Sequence, residues 1–477
     1  MSLSPTAVSV PLCVDLDGTL TAIDTLHETV LGLAKDAPLA LLSVPGWIAS
    51  GKATFKREVS SRAQIDVSCL PYREDLLEWL RAERATGRKL VLATAADRRI
   101  ADAVAAHLDI FDEVIASDGA ENLSGDGKRA ALVARFGERG FDYVGNDEVD
   151  LKVWPSARRA VVVGTASLAE RAAKLAEAGP VFAAVPGSLK LWIKAARLYQ
   201  WVKNLLIFLP ALLAHRIADP AVLGSAALAF LAFGLCASSV YLFNDLLDLA
   251  SDRRHKRKRH RPFASGALPA SRGVAVGIAL FLAAAAIAVQ VGWQFCAVLS
   301  AYYLFTWAYS LRYKRAAIVD VMMLAGLYTI RIVAGGAATG VTVSFWLLAF
   351  SMFIFLSLAV VKRYAELDDA NRAGKAKAAG RGYSAEDLPL LLSLGTASGF
   401  AGIVVMALYI NSPESAALYS DSKPMWLICP LLLYWIARVW LLTTRGQMHD
   451  DPILFAIRDR ISIAIIAAIG AIVVLAI

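Results

Sequence analysis

Two clusters of oxygen-bearing side chains stand out by their spacing. Asp15-Leu16-Asp17-Gly18-Thr19-Leu20 closes an apolar stretch near the N-terminus, with two carboxylates two residues apart. Asn244, Asp245, Asp248 and Asp252 form the second cluster. On a helix, 244, 248 and 252 follow one face, and 245, 248 and 252 are neighbours by three and four. Like charges on adjacent turns repel, and carboxylates at the end of a membrane-type segment are costly. A divalent cation removes both objections, and hard oxygen ligands suit Mg²⁺. Both clusters read as Mg²⁺ sites for phosphorylated substrates. The plainer alternatives are a polar strand end and a helix end emerging into water.

The surrounding elements differ in kind. Over 477 residues the chain is 57% hydrophobic and only 19% charged, with a mean hydropathy of +0.53. Those values exclude an ordinary soluble protein. The apolar excess is uneven: residues 1–190 have a globular mix, whereas 200–477 repeat apolar runs near the ~20 residues that span a bilayer. The boundary falls near Pro186-Gly187, giving domains 1–185 and 186–477. Nine spans are predicted, at 200–215, 221–243, 273–292, 294–310, 317–338, 343–361, 388–410, 425–442 and 461–477.

Loop charge orients the spans. Residues 245–272 hold eight Lys/Arg, 311–316 three, 362–387 six and 443–460 three, while the alternate loops hold almost none. The basic loops, and with them the N-terminal domain and both clusters, are expected on the cytoplasmic side of an inner membrane. The net charge of +8 comes mainly from these loops, which points to anionic headgroups rather than nucleic acid. Asp15 and Asp17 interrupt the N-terminus too early for a signal peptide. Cys13, Cys69, Cys236, Cys296 and Cys429 show no CxxC spacing and read as reduced thiols.

Apolar strands are predicted at Val8–Val14, Lys89–Ala93, Glu113–Ala116 and Phe141–Val144, with a fifth at Val161–Val163 and helices at 98–108 and 128–139. Alternation of strand and helix implies an α/β domain with a parallel sheet covered on both faces, whose ligands bind at the strands' carboxyl ends. The polar candidates lie there. Over residues 8–165 this domain resembles the haloacid dehalogenase-type (HAD) phosphatases, on the Asp15-Leu16-Asp17-Gly18-Thr19 motif. The resemblance makes Asp15 the nucleophile and Asp17 the general acid/base, a spacing that suits attack and leaving-group protonation. It makes Thr94 a phosphate-binding hydroxyl and Lys128 the neutralising cation. The last motif departs from the family: Gly145-Asn146-Asp147-Glu148-Val149-Asp150 has Asn where Asp is usual, so Asn146, Asp147 and Asp150 are the candidate Mg²⁺ ligands beside Asp15 and Asp17. In that family an insertion such as 24–85 forms a helical cap.

The second part resembles the UbiA-type intramembrane prenyltransferase superfamily over about 190–477, an all-α polytopic bundle. Asn244, Asp245, Asp248 and Asp252 match its NDxxDxxxD motif, with Asp245 and Asp248 as catalytic metal carboxylates. Further stretches resemble the decaprenyl-phosphate phosphoribosyltransferase branch: Gln200-Trp201-Val202-Lys203-Asn204, Arg261-Pro262-Phe263-Ala264-Ser265-Gly266, Tyr309-Ser310-Leu311, Lys362-Arg363-Tyr364-Ala365-Glu366-Leu367, Arg381-Gly382-Tyr383 and His449-Asp450-Asp451-Pro452. Enzymes acting on aromatic acceptors usually carry a second Asp-rich motif. Here Asp320 stands alone, with Arg331 the next charge. That pattern favours phosphoribosyl pyrophosphate as donor and a polyprenyl phosphate as acceptor, with Lys203, Asn204, Lys258, Arg261, Asp320, Arg331, Lys362 and Arg363 as substrate-binding candidates. Most of the basic run 253–261 reads as membrane anchoring. The product would carry a phosphomonoester, which the first domain could hydrolyse. Two readings stay open beside this one: prenyl transfer to an aromatic acceptor, and a docking role for the first domain. Homo-oligomers are allowed by the sequence but not read from it.

Overall fold

A computed structural model describes residues 10–63, 65–118, 122–183, 187–374, 381–448 and 451–477. The chain packs as two units, residues 1–196 with 241–277, and residues 197–240 with 278–477. In the first unit, six strands form one parallel sheet: β1 (Leu12–Val14), β2 (Leu90–Asp97), β3 (Glu113–Ser117), β4 (Asp142–Gly145), β5 (Arg159–Gly164) and β6 (Glu177–Ala183). Their order is β3-β2-β1-β4-β5-β6.

The central strands are apolar on both faces, as a covered parallel sheet requires. Leu12, Val14, Leu90, Leu92, Val161 and Val163 enter one core. Their alternates Cys13, Val91, Ala93, Ala160 and Val162 enter the other, with Phe141, Tyr143 and Trp154. Burying a Leu or Phe side chain stabilises by about 1.5–3 kcal/mol, so one inverted register would lose many such contributions. The sixth strand was not predicted. Its residues are largely exposed, and it contains Gly179 and Pro180, a composition tolerated only at a sheet edge.

Helices α1 (Thr25–Asp36), α2 (Lys52–Arg62) and α3 (Asp126–Phe136) flank this sheet or its insertion, and Arg98–Leu108 is helical as expected. The order reverses at β1, which pairs with β2 on one side and β4 on the other. The crevice beyond such a reversal is where ligands of α/β sheets bind. Asp15 follows β1 and Asn146 follows β4, so both open into it.

Among the described residues six helices are long and apolar enough to cross a membrane: α4 (Pro220–Leu247), then, after the short α5 (Leu249–Arg254), α6 (Ala270–Val291), α7 (Val319–Thr339), α8 (Phe345–Arg372), and the stretches Ala385–Ile410 and Lys423–Thr444. This differs from nine predicted spans. Residues 200–215 correspond to the shorter helical stretch Leu198–Leu213, and the last span to Pro452–Arg458 and Arg460–Ala476, bent by 80°. Residues 294–310 lie on the helix Trp293–Leu311, whose Gln, Ser, Thr, Trp and Tyr residues make it less apolar than the six. All five cysteines are free.

Candidate functional site

The first cavity, of about 570 Å³, opens beyond β1 and β4. Gly18 sits at φ +73°, where a β-carbon would come within 2.3 Å of Asn146 Nδ2. Gly145 allows a similar approach, since its β-carbon would meet the Asp150 carboxylate at 2.6 Å. Glycine at these two places lets the strand ends close on one another.

Asp15 is buried, and Lys128 Nζ from α3 lies 2.7 Å from its Oδ1. Lys128 also donates to Tyr143 Oη at 2.9 Å, and Tyr143 Oη donates to Asp150 Oδ1 at 2.8 Å. Asp150 Oδ2 accepts the backbone N–H groups of Asn146 (2.8 Å) and Asp147 (3.0 Å). Thr19 Oγ1 donates to Asn146 Oδ1 at 2.8 Å. Burial raises the Asp15 carboxyl, opposed by the Lys128 charge. Burial opposes the charge of Lys128, yet Asp15 and Asp150 hold its pKa above the ordinary lysine value.

Asp17 lies at the entrance of α1, where its Oδ1 accepts the Thr25 N–H at 2.8 Å. Burial, then the charge of Asp24, pushes its carboxyl up to about 7. A carboxyl half-protonated near neutrality can give and take a proton there. Asp15, Asp17, Asn146, Asp147, Asp150 and Lys128 all face this cavity. Thr94 does not line it: it is fully buried, and its hydroxyl accepts the Ala96 N–H at 3.0 Å. Lys56 of α2 does line it, though sequence reasoning missed it. Lys56 Nζ donates to Ala95 O at 2.6 Å and Asn122 Oδ1 at 2.9 Å.

In the same unit, Asp248 interrupts the helical run between α4 and α5, with φ −100° and ψ 11°. The hydrogen bonds Asp248 N to Asn244 O (3.0 Å) and Asp252 N to Asp248 O (2.8 Å) preserve the four-residue spacing. Asp245 and Asp252 are buried and meet at one nitrogen, Arg261 Nη1, at 3.0 and 2.7 Å. Asp248 Oδ1 instead faces Lys35 Nζ of α1 at 3.3 Å. Burial raises the Asp252 carboxyl, with Arg261 countering. Asn244 is half-buried at the inner end of the motif, and Lys258 is exposed.

Among the described residues no three His, Cys, Asp or Glu side chains are grouped closely enough to hold a metal ion by themselves. Four converging ligands were expected at 244–252; the structure brings two carboxylates together on Arg261. The donor chemistry at both places still fits a hard cation. Every candidate ligand is an oxygen, and burial leaves Asp15 and Asp252 short of compensating charge.

The second unit gathers the remaining candidates into three groups. Lys203 Nζ and Lys362 Nζ share Asp451 Oδ2, at 2.7 and 3.3 Å. Their charges outweigh burial and hold the Asp451 carboxyl down to about 2. Arg331 Nε donates to Asn204 Oδ1 at 2.9 Å. The guanidinium also stands over the rings of Tyr302, Phe233 and Tyr328, at 5.0, 5.4 and 5.8 Å. Asn204 Nδ2 is buried without a hydrogen-bond partner. Asp320 and Arg363, both buried, form an ion pair reinforced by Tyr383 Oη on Asp320 and by Arg363 Nη2 to Tyr309 Oη at 2.7 Å. Asp451 was visible only as part of a resembling motif; His449 and Asp450 of that motif lie outside the described residues.

Comparison with known proteins adds the lineage. The profile of the UbiA prenyltransferase family matches residues 205–466. An uncharacterized protein, y4nM, of Sinorhizobium fredii is 40% identical over 462 residues, 95% of this chain and 88% of that protein. Decaprenyl-phosphate phosphoribosyltransferase of Mycobacterium tuberculosis is 32% identical over 289 residues, 58% of this chain and 93% of that protein. The solved structure of a UbiA homolog from Archaeoglobus fulgidus bound to GPP and Mg²⁺ aligns with 59% of this chain and 99% of that chain, at 18% identity and a TM-score of 0.46. With more than half of its length matched by the family profile, this multi-pass, membrane-type chain belongs to the UbiA prenyltransferase family.

Proposed function

We propose that the chain transfers a phosphoribosyl group from phosphoribosyl pyrophosphate to a polyprenyl phosphate, and that residues 1–185 then remove the 5-phosphate as a HAD-type phosphatase. A polyprenyl-phosphate oxygen bonds to the ribose anomeric carbon while the carbon–oxygen bond to pyrophosphate breaks. The acidic residues 245–252 would hold Mg²⁺, which supplies charge neutralisation for the leaving pyrophosphate. The observation that carries the reading is the cationic character of the second unit: Lys203 and Lys362 face a single carboxylate, Asp451, and Asp320 is already engaged by Arg363. Such a constellation suits phosphate oxygens better than a second metal. The unpartnered Asn204 Nδ2 adds a neutral donor. Similarity to decaprenyl-phosphate phosphoribosyltransferase over 93% of that protein's length supports the same donor and acceptor.

In the first cavity Asp15 would attack the phosphorus as the ribose 5-oxygen leaves with the Asp17 proton. Water deprotonated by Asp17 would then release inorganic phosphate from the acyl phosphate. Lys128 balances the charge on Asp15 and the transferred group. The basic loops support an inner membrane with both sites facing the cytoplasm. Prenyl transfer to an aromatic acceptor is the competing reading, and it needs carboxylates free to bind a second metal. The test is membranes containing the full chain, radiolabelled phosphoribosyl pyrophosphate, polyprenyl phosphate and Mg²⁺. A labelled lipid is expected; its absence overturns the reading.

A further inference from the structure

We propose that Arg272 is a substrate-binding residue of the first cavity, holding the phosphodiester of a lipid-linked phosphomonoester while the monoester enters at Asp15. The inference rests on the phosphatase reading of that cavity. The cavity walls come from two distant stretches of chain. Sheet ends and insertion supply Asp15, Asp17, Lys56, Lys128 and Asp150, while Pro269-Ala270-Ser271-Arg272 supplies the remaining wall. Ala270, Ser271 and Arg272 begin α6, a helix long and apolar enough to cross a membrane. An anion held by its first turn therefore lies where a lipid headgroup is presented.

Charge accounting singles out Arg272. The cavity is lined by Asp15, Asp17, Asp24, Asp97, Asp147 and Asp150, with Glu28 beside them paired to Arg253, an acidic surround that repels an anionic substrate unless cations intervene. Lys128 is engaged by Asp15, and Lys56 is fixed by Ala95 O and Asn122. Arg272 is exposed and makes no ion pair among the described residues. At about 570 Å³ the space exceeds what one phosphate fills, leaving room for a pentose and a second anionic group. A guanidinium fork matches two oxygens of a phosphodiester, which a small phosphomonoester lacks.

The test compares phosphate release by the full chain in lipid nanodiscs from polyprenyl-phosphoryl ribose 5-phosphate and from p-nitrophenyl phosphate. Arg272→Ala is expected to lower the ratio of kcat/KM, lipid over small ester, by about tenfold or more through KM for the lipid. Arg272→Lys should recover part of the ratio and Arg272→Glu should lower it further. An unchanged ratio in Arg272→Ala and Arg272→Glu, with wild type hydrolysing both esters, overturns the role of Arg272 alone. If wild type releases phosphate from neither ester, the phosphatase reading itself falls and this inference with it. Arg272 is exposed, so loss of fold is not expected from these substitutions.

Discussion

Arg253 Nη1 lies 2.6 Å from Glu28 Oε2, and Nη2 pairs with Oε1, making a two-pronged ion pair between buried side chains. It ties α1, which starts beside Asp17, to α5, which carries Asp252. Arg254 with Asp66 and Lys35 with Asp248 add two outer ties. Removing one partner of a buried pair leaves an uncompensated charge and costs about 3–5 kcal/mol. Glu28→Ala and Arg253→Ala should each lower the thermal unfolding temperature of the solubilised chain, with the double variant well short of their sum. Simple additivity would refute the coupling.

Asp17→Asn keeps the shape of the side chain but cannot exchange a proton. Phosphate release from the lipid product should fall about 10²–10⁴-fold, while label transfer from phosphoribosyl pyrophosphate continues. The 5-phosphorylated lipid then accumulates, visible by thin-layer chromatography. No accumulation would support the docking role.

The 245–252 motif makes the opposite separation. Asp252→Asn, or chelation of divalent cations, should abolish labelled lipid formation. Mg²⁺ titration should restore the chelated wild type but not the variant. Labelled lipid forming at the wild-type rate in Asp252→Asn would remove this motif from the transfer reaction.

Gly18 offers a steric test with a built-in control. Ala at φ +73° costs about 1–2 kcal/mol in backbone energy, and its β-carbon also displaces Asn146. Gly137 has φ +83° with nothing within 4 Å of a β-carbon, so Gly137→Ala carries only the backbone cost. Both should lower thermal stability, but only Gly18→Ala should lower phosphate release. Equal release from both would mean that Asn146 does not need its present position.

Asp142 provides the pH dependence. It is fully buried between Arg88 and Arg158, the latter 2.7 Å away, and these charges outweigh burial to hold its carboxyl below the ordinary value of 3.8. A depressed folded pKa contributes stability above the unfolded value and loses it as pH falls through the folded one. Wild type should therefore lose stability below about pH 4. Asp142→Asn should be less stable at neutral pH and show a shallower acid loss; an identical acid slope would discount the pair.

Sequence legibility followed the range of the interactions. Asp15 and Asn146 could be placed because each immediately follows an apolar strand, with Asp17 two residues beyond Asp15, a local pattern. Lys56 and Arg272 could not, since nothing near them in sequence shows that α2 and the start of α6 line one cavity. The 3.6-residue period placed 245 and 252 correctly, but not the turning of Asp248 toward Lys35, 213 residues earlier. Asp320 and Arg363 were read as substrate-binding candidates, and only packing reveals that they engage each other. The edge strand β6 escaped because an exposed strand lacks the apolar run that marks the others. The span at 294–310 was predicted from its length, yet aromatic and polar residues leave Trp293–Leu311 less apolar than the six membrane-type helices.

The wall formed by residues 269–272 has a consequence for biogenesis. The last strand of the sheet ends at Ala183, so that wall leaves the ribosome roughly ninety residues later. At typical elongation rates this delay is about 5–20 s. In that interval the sheet can fold while its cavity still lacks one side, and α4 must be made before the side arrives. The cavity is thus completed only as the chain enters the bilayer; on the proposed phosphatase reading, full substrate recognition waits until the lipid is within reach.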